Sequence, residues 1–420
     1  MYRCLSLTVA VLFTSLANVV AQPSLDAKVS ELEARLATLE SQTSTTGSRI
    51  EATWRPGLYL QTEDKAIQLH LGGRIQNDWS FALDSDDALK EEVGPLKDAT
   101  DFRRIWIEME GAAYERTFFA LHLDFVGGKV GARNVYIGFK DIPLFDTIRV
   151  GNQQEPFGLE ELQSNNGITF LERSLSLFYP SYNGGIRFIR PLADKRATVS
   201  GGVFRDTDDS GKFVGDDGYN LTARLTVLPY VSEESDKLIH LGIAGSNQRR
   251  DTDTMQFSAR PENRWMPNFL NATNIPADDV TLLGLEAALV LHSLSLQAEF
   301  VSASAESDLA DHDFSGCYLE AAYLLTGETR SYDRANGVFG KIKPKRNFGK
   351  NGWGALELAA RVSNVDLNDK EITGGEMDNY TLGLNWYLNP AVRLMLNYVH
   401  SDLKSVGHAD ALVARFQVAF

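Results

Sequence analysis

The sequence predicts an all-β chain, a 16-stranded antiparallel transmembrane β-barrel preceded by a short N-terminal coiled-coil helix. Three observations carry this. Beyond residue 65, apolar and polar residues alternate with period two. The alternating segments run to about ten residues, the length at which a tilted strand crosses a bilayer. The connections between them are tight and long in turn, as in barrels with short periplasmic turns and long outer loops. Composition agrees. The 420 residues are 43% hydrophobic and 10% aromatic, too apolar for a disordered chain. There are 34 glycines against 13 prolines, with 22 Phe and 14 Tyr, which suits many short strands. Lys and Arg number 41 and Asp and Glu 56, a formal net charge of −15 with no basic block, which argues against a nucleic-acid partner.

Residues 1–21 (MYRCLSLTVAVLFTSLANVVA) place one positive charge, Arg3, before an apolar stretch that ends in Val19-Val20-Ala21. This predicts a signal peptide cleaved after Ala21, hence export. Residues 22–45 predict a coiled coil, because Leu25, Val29, Leu32, Leu36 and Leu39 fall at spacings of 4, 3, 4 and 3. A helix this short is marginal alone, so its seam implies self-association or docking, on the cell wall for example. Residues 46–65 predict a linker, and 66–420 the barrel. Removing the signal peptide takes Cys4 with it and leaves Cys317 as the single thiol, so no internal disulfide is expected. No CxxC or Cys/His cluster marks a metal site, and no cofactor motif is present.

Sixteen alternating segments lie near 66–81, 101–113, 116–126, 131–141, 145–153, 184–192, 195–204, 218–229, 236–247, 279–290, 293–302, 314–326, 352–364, 377–388, 391–401 and 410–420. The C-terminal strands show the pattern most clearly. Leu382, Leu384, Leu394 and Leu396 fall on one face, for lipid, and Asn385, Arg393, Asn397 and Arg415 on the other, for a wet lumen. The long connections 82–100, 154–183 and 248–278 fall on one side of the barrel. The connection 327–351 is also long but falls on the short-turn side, as a periplasmic excursion or a sign that the strand count is off there. Sixteen strands enclose an aqueous channel where eight would be filled by side chains. The residues alone therefore describe an outer-membrane pore.

Several strings carry a closer likeness: LGGRIQNDW (71–79), DFRRIWIEMEG (101–111), GNQQEPFGLEEL (151–162), FLERSL (170–175), LTGETRSYDR (325–334) and YTLGLNWYLNPAVRLMLNYV (380–399). Together, in this order and ending in Phe420, they resemble the phosphate-selective porin O/P family. The resemblance implies a homotrimeric outer-membrane porin of a Gram-negative-type bacterium, with outer-membrane lipid and small anionic or neutral solutes as partners. It also implies a third and a fifth loop folded into the lumen. Arg74 and the Arg103–Arg104 pair sit in matching motifs; Asp124 resembles the family's eyelet acid; Arg260 and Arg264 fall where similar fifth loops are basic. By alternation Arg74, Arg104 and Asp124 point inward, so Arg74 and Arg104 are expected to face Asp124. His122 and Asp124, two apart on one face, are placed to hydrogen-bond.

The family's usual lysine in GQFKEPF-like segments is Gln154 here, and lumen-facing glutamates, Glu108, Glu110, Glu286, Glu299, Glu320 and Glu357 among them, are many. This predicts passive diffusion of small anions, phosphate among them, with modest selectivity. The alternative is a general or carbohydrate/organic-solute porin, using inward Trp106, Tyr136, Tyr318 and Tyr387 as an aromatic track. No nucleophile motif accompanies the seven histidines, so no enzyme is expected. A plugged barrel serving only as a cell-wall tether is the remaining rival.

Overall fold

Period-two alternation becomes a closed wall in the computed structural model, which describes residues 25–43, 49–216, 218–249, 254–308, 310–349 and 352–420. The chain divides into two units, Met1–Glu51 with Thr62–Asp64, and Ala52–Gln61 with Lys65–Phe420. The expected signal peptide, 1–21, lies outside the described residues. In the first unit, Leu25–Thr43 is one α-helix. Its seam residues Val29, Leu32 and Leu36 are 46%, 63% and 58% exposed in the single chain. Apolar spacing of this kind is stable only when covered.

The second unit holds the barrel. Its sixteen strands are Ile67–Ser85, Ala99–Ala113, Thr117–Asp124, Gly131–Ile142, Asp146–Gln154, Tyr182–Leu192, Ala197–Arg205, Tyr219–Val231, Lys237–Arg249, Asp279–Leu291, Leu294–Glu306, His312–Leu324, Ala355–Asp369, Ile372–Tyr387, Val392–Leu403 and Gly407–Ala419. Each pairs antiparallel with the next, and the last pairs with the first, Phe416 opposite Asn77 and Ala419 opposite Arg74. Phe420 continues the seam by exchanging backbone hydrogen bonds with Gly73 at 2.8 and 3.0 Å. Closure leaves no unpaired edge, which a bilayer would not tolerate. Residues 50–62, expected as linker, instead form two strands, Ile50–Arg55 and Gly57–Thr62, and Leu58 of the second pairs with Leu71.

Leu382, Leu384 and Leu396 are exposed on the outer face, while Asn385, Arg393, Asn397 and Arg415 are buried inside. The lumen is not uniformly wet, however. Much of the inner wall is lined by small and apolar residues such as Ala244, Val280, Val301, Ala303, Val365 and Val413. Phe157, Leu171, Leu175 and Phe178 of the third loop and Phe257, Met266, Phe269 and Leu270 of the fifth pack onto it in one buried cluster. The fifth loop carries its own hairpin, Thr254–Ala259 with Leu270–Pro276. Both long loops thus fold inward because the wall beneath them is apolar.

A lipid-facing charge costs roughly 2–4 kcal/mol near the bilayer midplane, while a lumen-facing one meets water. Leu382→Arg is therefore expected to lower the yield of heat-modifiable barrel in liposome refolding. Glu110→Arg, on the lumen side, should refold as wild type; equal yields would contradict the assigned faces.

Candidate pore constriction

The strand register decides which charges enter the lumen. Gln76 pairs with Arg104 but Asn77 with Phe102, leaving Arg103 as the extra residue of a β-bulge. Alternation alone turns Arg103 outward; the bulge turns it inward beside Arg104. There it meets Glu172 of the third loop in a bidentate pair, 2.7 and 3.0 Å. Arg104 instead donates to Gln76 Oε1 at 2.8 Å. Arg74 pairs with Glu108, and its guanidinium lies 4.4 Å from the Trp106 ring centroid. One expectation fails. Asp124 faces neither Arg74 nor Arg104, because its cross-strand neighbour is Trp106, and it pairs with Arg133 at 3.2 Å. His122 does not reach Asp124 either; its Nε2 meets Glu110 at 2.9 Å and its Nδ1 Asn134 at 3.4 Å. The two side chains point to different cross-strand partners.

The third loop is held down by charged wall residues. Glu299 accepts from the backbone N–H groups of Leu159 and Glu160 at 2.8 and 2.7 Å, capping the short helix Leu159–Leu162. Arg393 donates to the Ile168 and Thr169 carbonyls at 2.7 and 3.1 Å. Arg415 donates to the Leu171 carbonyl at 2.8 Å and pairs with Asp78 and Glu172. Arg361 bridges Glu160 of the third loop and Glu262 of the fifth, 3.1 and 2.6 Å. Burial by itself would raise the Glu172 carboxyl, but Arg103 and then Arg415 hold it well below its ordinary 4.5.

The long connection on the short-turn side is a lumen element. Its hairpin, Tyr332–Asp333 with Val338–Phe339, enters the barrel. Arg224, paired bidentately with Glu286, donates to the Gly337 carbonyl at 2.9 Å. Gly337 has φ +68°, and a Cβ there would lie 2.6 Å from Thr226 Oγ1, so only glycine fits this approach. Tyr332 Oη lies 2.6 Å from His240 Nδ1, and Arg330 donates to Gln163 of the third loop at 2.9 Å. The strand count therefore holds at 327–351, and the connection is a long excursion on the short-turn side. What sequence reasoning missed is that the excursion turns inward, which Arg330 and Phe339 signal only once their buried partners are known.

Between this hairpin, the third loop and the opposite wall lies a cavity of about 460 Å³, lined by Arg74, Tyr136, Arg149, Tyr182, Arg187 and Lys341 among others. Arg149 and Arg187 stand directly opposite each other on adjacent strands. Like charges so placed repel unless an anion lies between them. Arg187 donates to Ser200 Oγ and the Gln154 carbonyl, both 3.0 Å. Arg149 lies against the Tyr136 ring, 4.9 Å from its centroid. A second cavity, of about 370 Å³, is lined by Arg103, Arg173, Arg260 and Arg264 with Glu172 and Glu262. Arg260 is exposed and Arg264 half-buried there. Among the described residues, Arg104, Arg149, Arg187, Arg260, Arg264 and Lys341 have no carboxylate within ion-pair distance. Most lumen acids, by contrast, are bound to arginines or loop amides. Alternation in Thr147-Ile-Arg-Val150 already turns Arg149 inward, so this cation was legible and overlooked.

Residues 69–420 match the model of a family described as phosphate-selective porin O and P. Porin O of Pseudomonas aeruginosa is 26% identical over 430 residues, covering 90% of this chain and 94% of that protein. Among solved structures, an anion-selective porin from Comamonas acidovorans superposes with a TM-score of 0.52 at 11% identity, over 84% of this chain and all of that one (100%). The trimer form of OmpT of Vibrio cholerae, folded in vitro, reaches 0.50 at 12% identity, over 84% and 99%. At such identities the two structures share the fold alone.

A depressed carboxyl stabilises fully above its ordinary value, and that stabilisation fades as pH falls through the depressed one. Acidification to pH 4.5 should thus leave the third loop seated, and single-channel conductance steady. Glu172→Gln, which removes a charge-assisted pair of about 1.5–3 kcal/mol, should bring noisy conductance and protease cleavage within 159–178 at neutral pH. A variant as quiet and resistant as wild type would show that the pair does not seat the loop.

Proposed function

The chain belongs to the phosphate-selective porin O and P family and is a porin of the outer membrane, and we propose that it forms a homotrimeric channel preferring small anions over cations. The observation that carries this is the facing pair Arg149 and Arg187, with no carboxylate partner among the described residues. Selectivity follows the charges that line the passage, not the chain's net −15. Most lumen glutamates oppose this little, because Glu108, Glu286, Glu299, Glu320 and Glu357 are bound to protein donors, while Glu110, beside His122, is the half-exposed exception. Phosphate passes as one of these anions, through a corridor of separate cations.

A carbohydrate channel is less well supported. All four inward aromatic residues expected to form a track are engaged: Trp106 lies under Arg74, Tyr136 under Arg149, Tyr318 donates to Glu299 at 2.6 Å, and Tyr387 to Glu357 at 2.8 Å. The homotrimer is supported by the uncovered seam on Leu25–Thr43, which three chains would bury, and by the trimeric neighbour.

Arg149→Glu with Arg187→Glu is expected to move the zero-current potential in a KCl gradient from the anion-selective to the cation-selective sign. A potential unchanged by the double substitution would place the selective charges elsewhere. Deleting residues 25–43 should leave a trimer that dissociates at lower temperature in detergent. An unchanged dissociation temperature would assign the helix to another partner, the cell wall for instance.

A further inference from the structure

Where the last strand meets the first, a second bulge gathers metal-binding side chains on the outer face. Asp410 pairs with Asp84 but Ala411 with Ala82, so Leu83 is the extra residue. Without it, alternation from the outward Phe81 would send Asp84 inward. The bulge re-aims Asp84 outward, directly opposite Asp410. Two carboxylates facing across a strand pair are destabilising unless a cation joins them. No lysine or arginine among the described residues pairs with either; the Tyr398 hydroxyl donates to Asp410 Oδ1 at 2.8 Å, and histidines stand beside the pair. His408 lies beside them, with one donor atom from each of Asp84, His408 and Asp410 within 4.8 Å of the others. His400 faces Asp410 from the third strand of the row, Nδ1 to Oδ1 2.7 Å, and its ring centroid is 5.4 Å from that of His408.

The imidazoles are oriented as metal-ligating histidines are. His408 directs Nδ1 at Asp86 Oδ2, 2.8 Å away, and His400 directs Nδ1 at Asp410. A carboxylate holding Nδ1–H leaves Nε2 as the free, more basic donor. His408 and His400 are 38% and 36% exposed, so an ion can reach them. Imidazole with carboxylate suits zinc-like ions, whereas calcium and magnesium prefer all-oxygen sets. We propose that Asp84, His408 and Asp410, with His400 as a further donor, bind a divalent transition-metal ion that ties the barrel's closing seam from outside. His400, His408 and Asp410 lie close together in the chain, but Asp84 comes from the first strand of the barrel, so the full set shows no spacing motif.

The test uses the full chain refolded in detergent and stripped with EDTA. Calorimetric titration with zinc chloride should show one ion per chain, and heat unfolding of the barrel should shift upward with zinc and not with calcium. His408→Ala and Asp84→Asn should each weaken zinc binding about tenfold or more, and the orienting change Asp86→Asn should weaken it too. All three variants should keep wild-type conductance, which shows that they are folded. Zinc binding equal in wild type and in the Asp84→Asn/His408→Ala double variant would overturn the proposal, as would calcium binding as tightly as zinc.

Discussion

Charged groups buried between this barrel's wall and its inserted loops need hydrogen-bonding partners, and that constraint fixes how the loops are held. A buried charge is tolerated only when paired and hydrogen-bonded. Arg361, Arg393 and Arg415 are each at most 2% exposed. Their partners are carbonyls and carboxylates of the third and fifth loops, or wall acids beside them. The wall recruits the loops as much as the loops seek the wall. Apolar cover supplies much of the burial energy, and the charge pairs fix where each loop rests. The inward hairpin at 332–339 follows the same logic, with Arg224 and Glu286 beneath it.

From this follows a division of labour among like residues. An acid within reach of an arginine or a loop amide braces the fold and contributes little field to the passage. A cation left without an acid does the opposite. Glu286 and Glu299 belong to the first kind, Arg149 and Arg187 to the second. A strongly acidic chain can therefore line an anion path, since only unpaired charges near the permeating ion count.

The strands were legible because lipid on one face and lumen on the other enforce alternation at nearly every residue. All sixteen appear within a few residues of their expected places. Alternation fails at bulges, and two positions show it: strict parity would turn Arg103 outward and Asp84 inward, and the bulges reverse both. Partner identity was also out of reach. Asp124 was assigned to Arg74 and Arg104 by parity, but parity says nothing of which neighbouring strand supplies the partner, and Arg133 supplies it. The strands at 50–62 were missed because Ile50–Thr62 sits among polar residues whose composition reads as linker. That the third loop folds inward was suggested by its length and by family likeness, but the contacts that hold it required the structure.

The central claim is that the passage is lined by cations free of carboxylates while the braced arginines are not available to solutes. Anomalous diffraction from crystals soaked in bromide reads this directly. The account predicts bromide peaks between Arg149 and Arg187 and beside Arg104, and none at Arg224, Arg361 or Arg415. Bromide bound at the braced arginines, or absent from the Arg149–Arg187 pair, would contradict it.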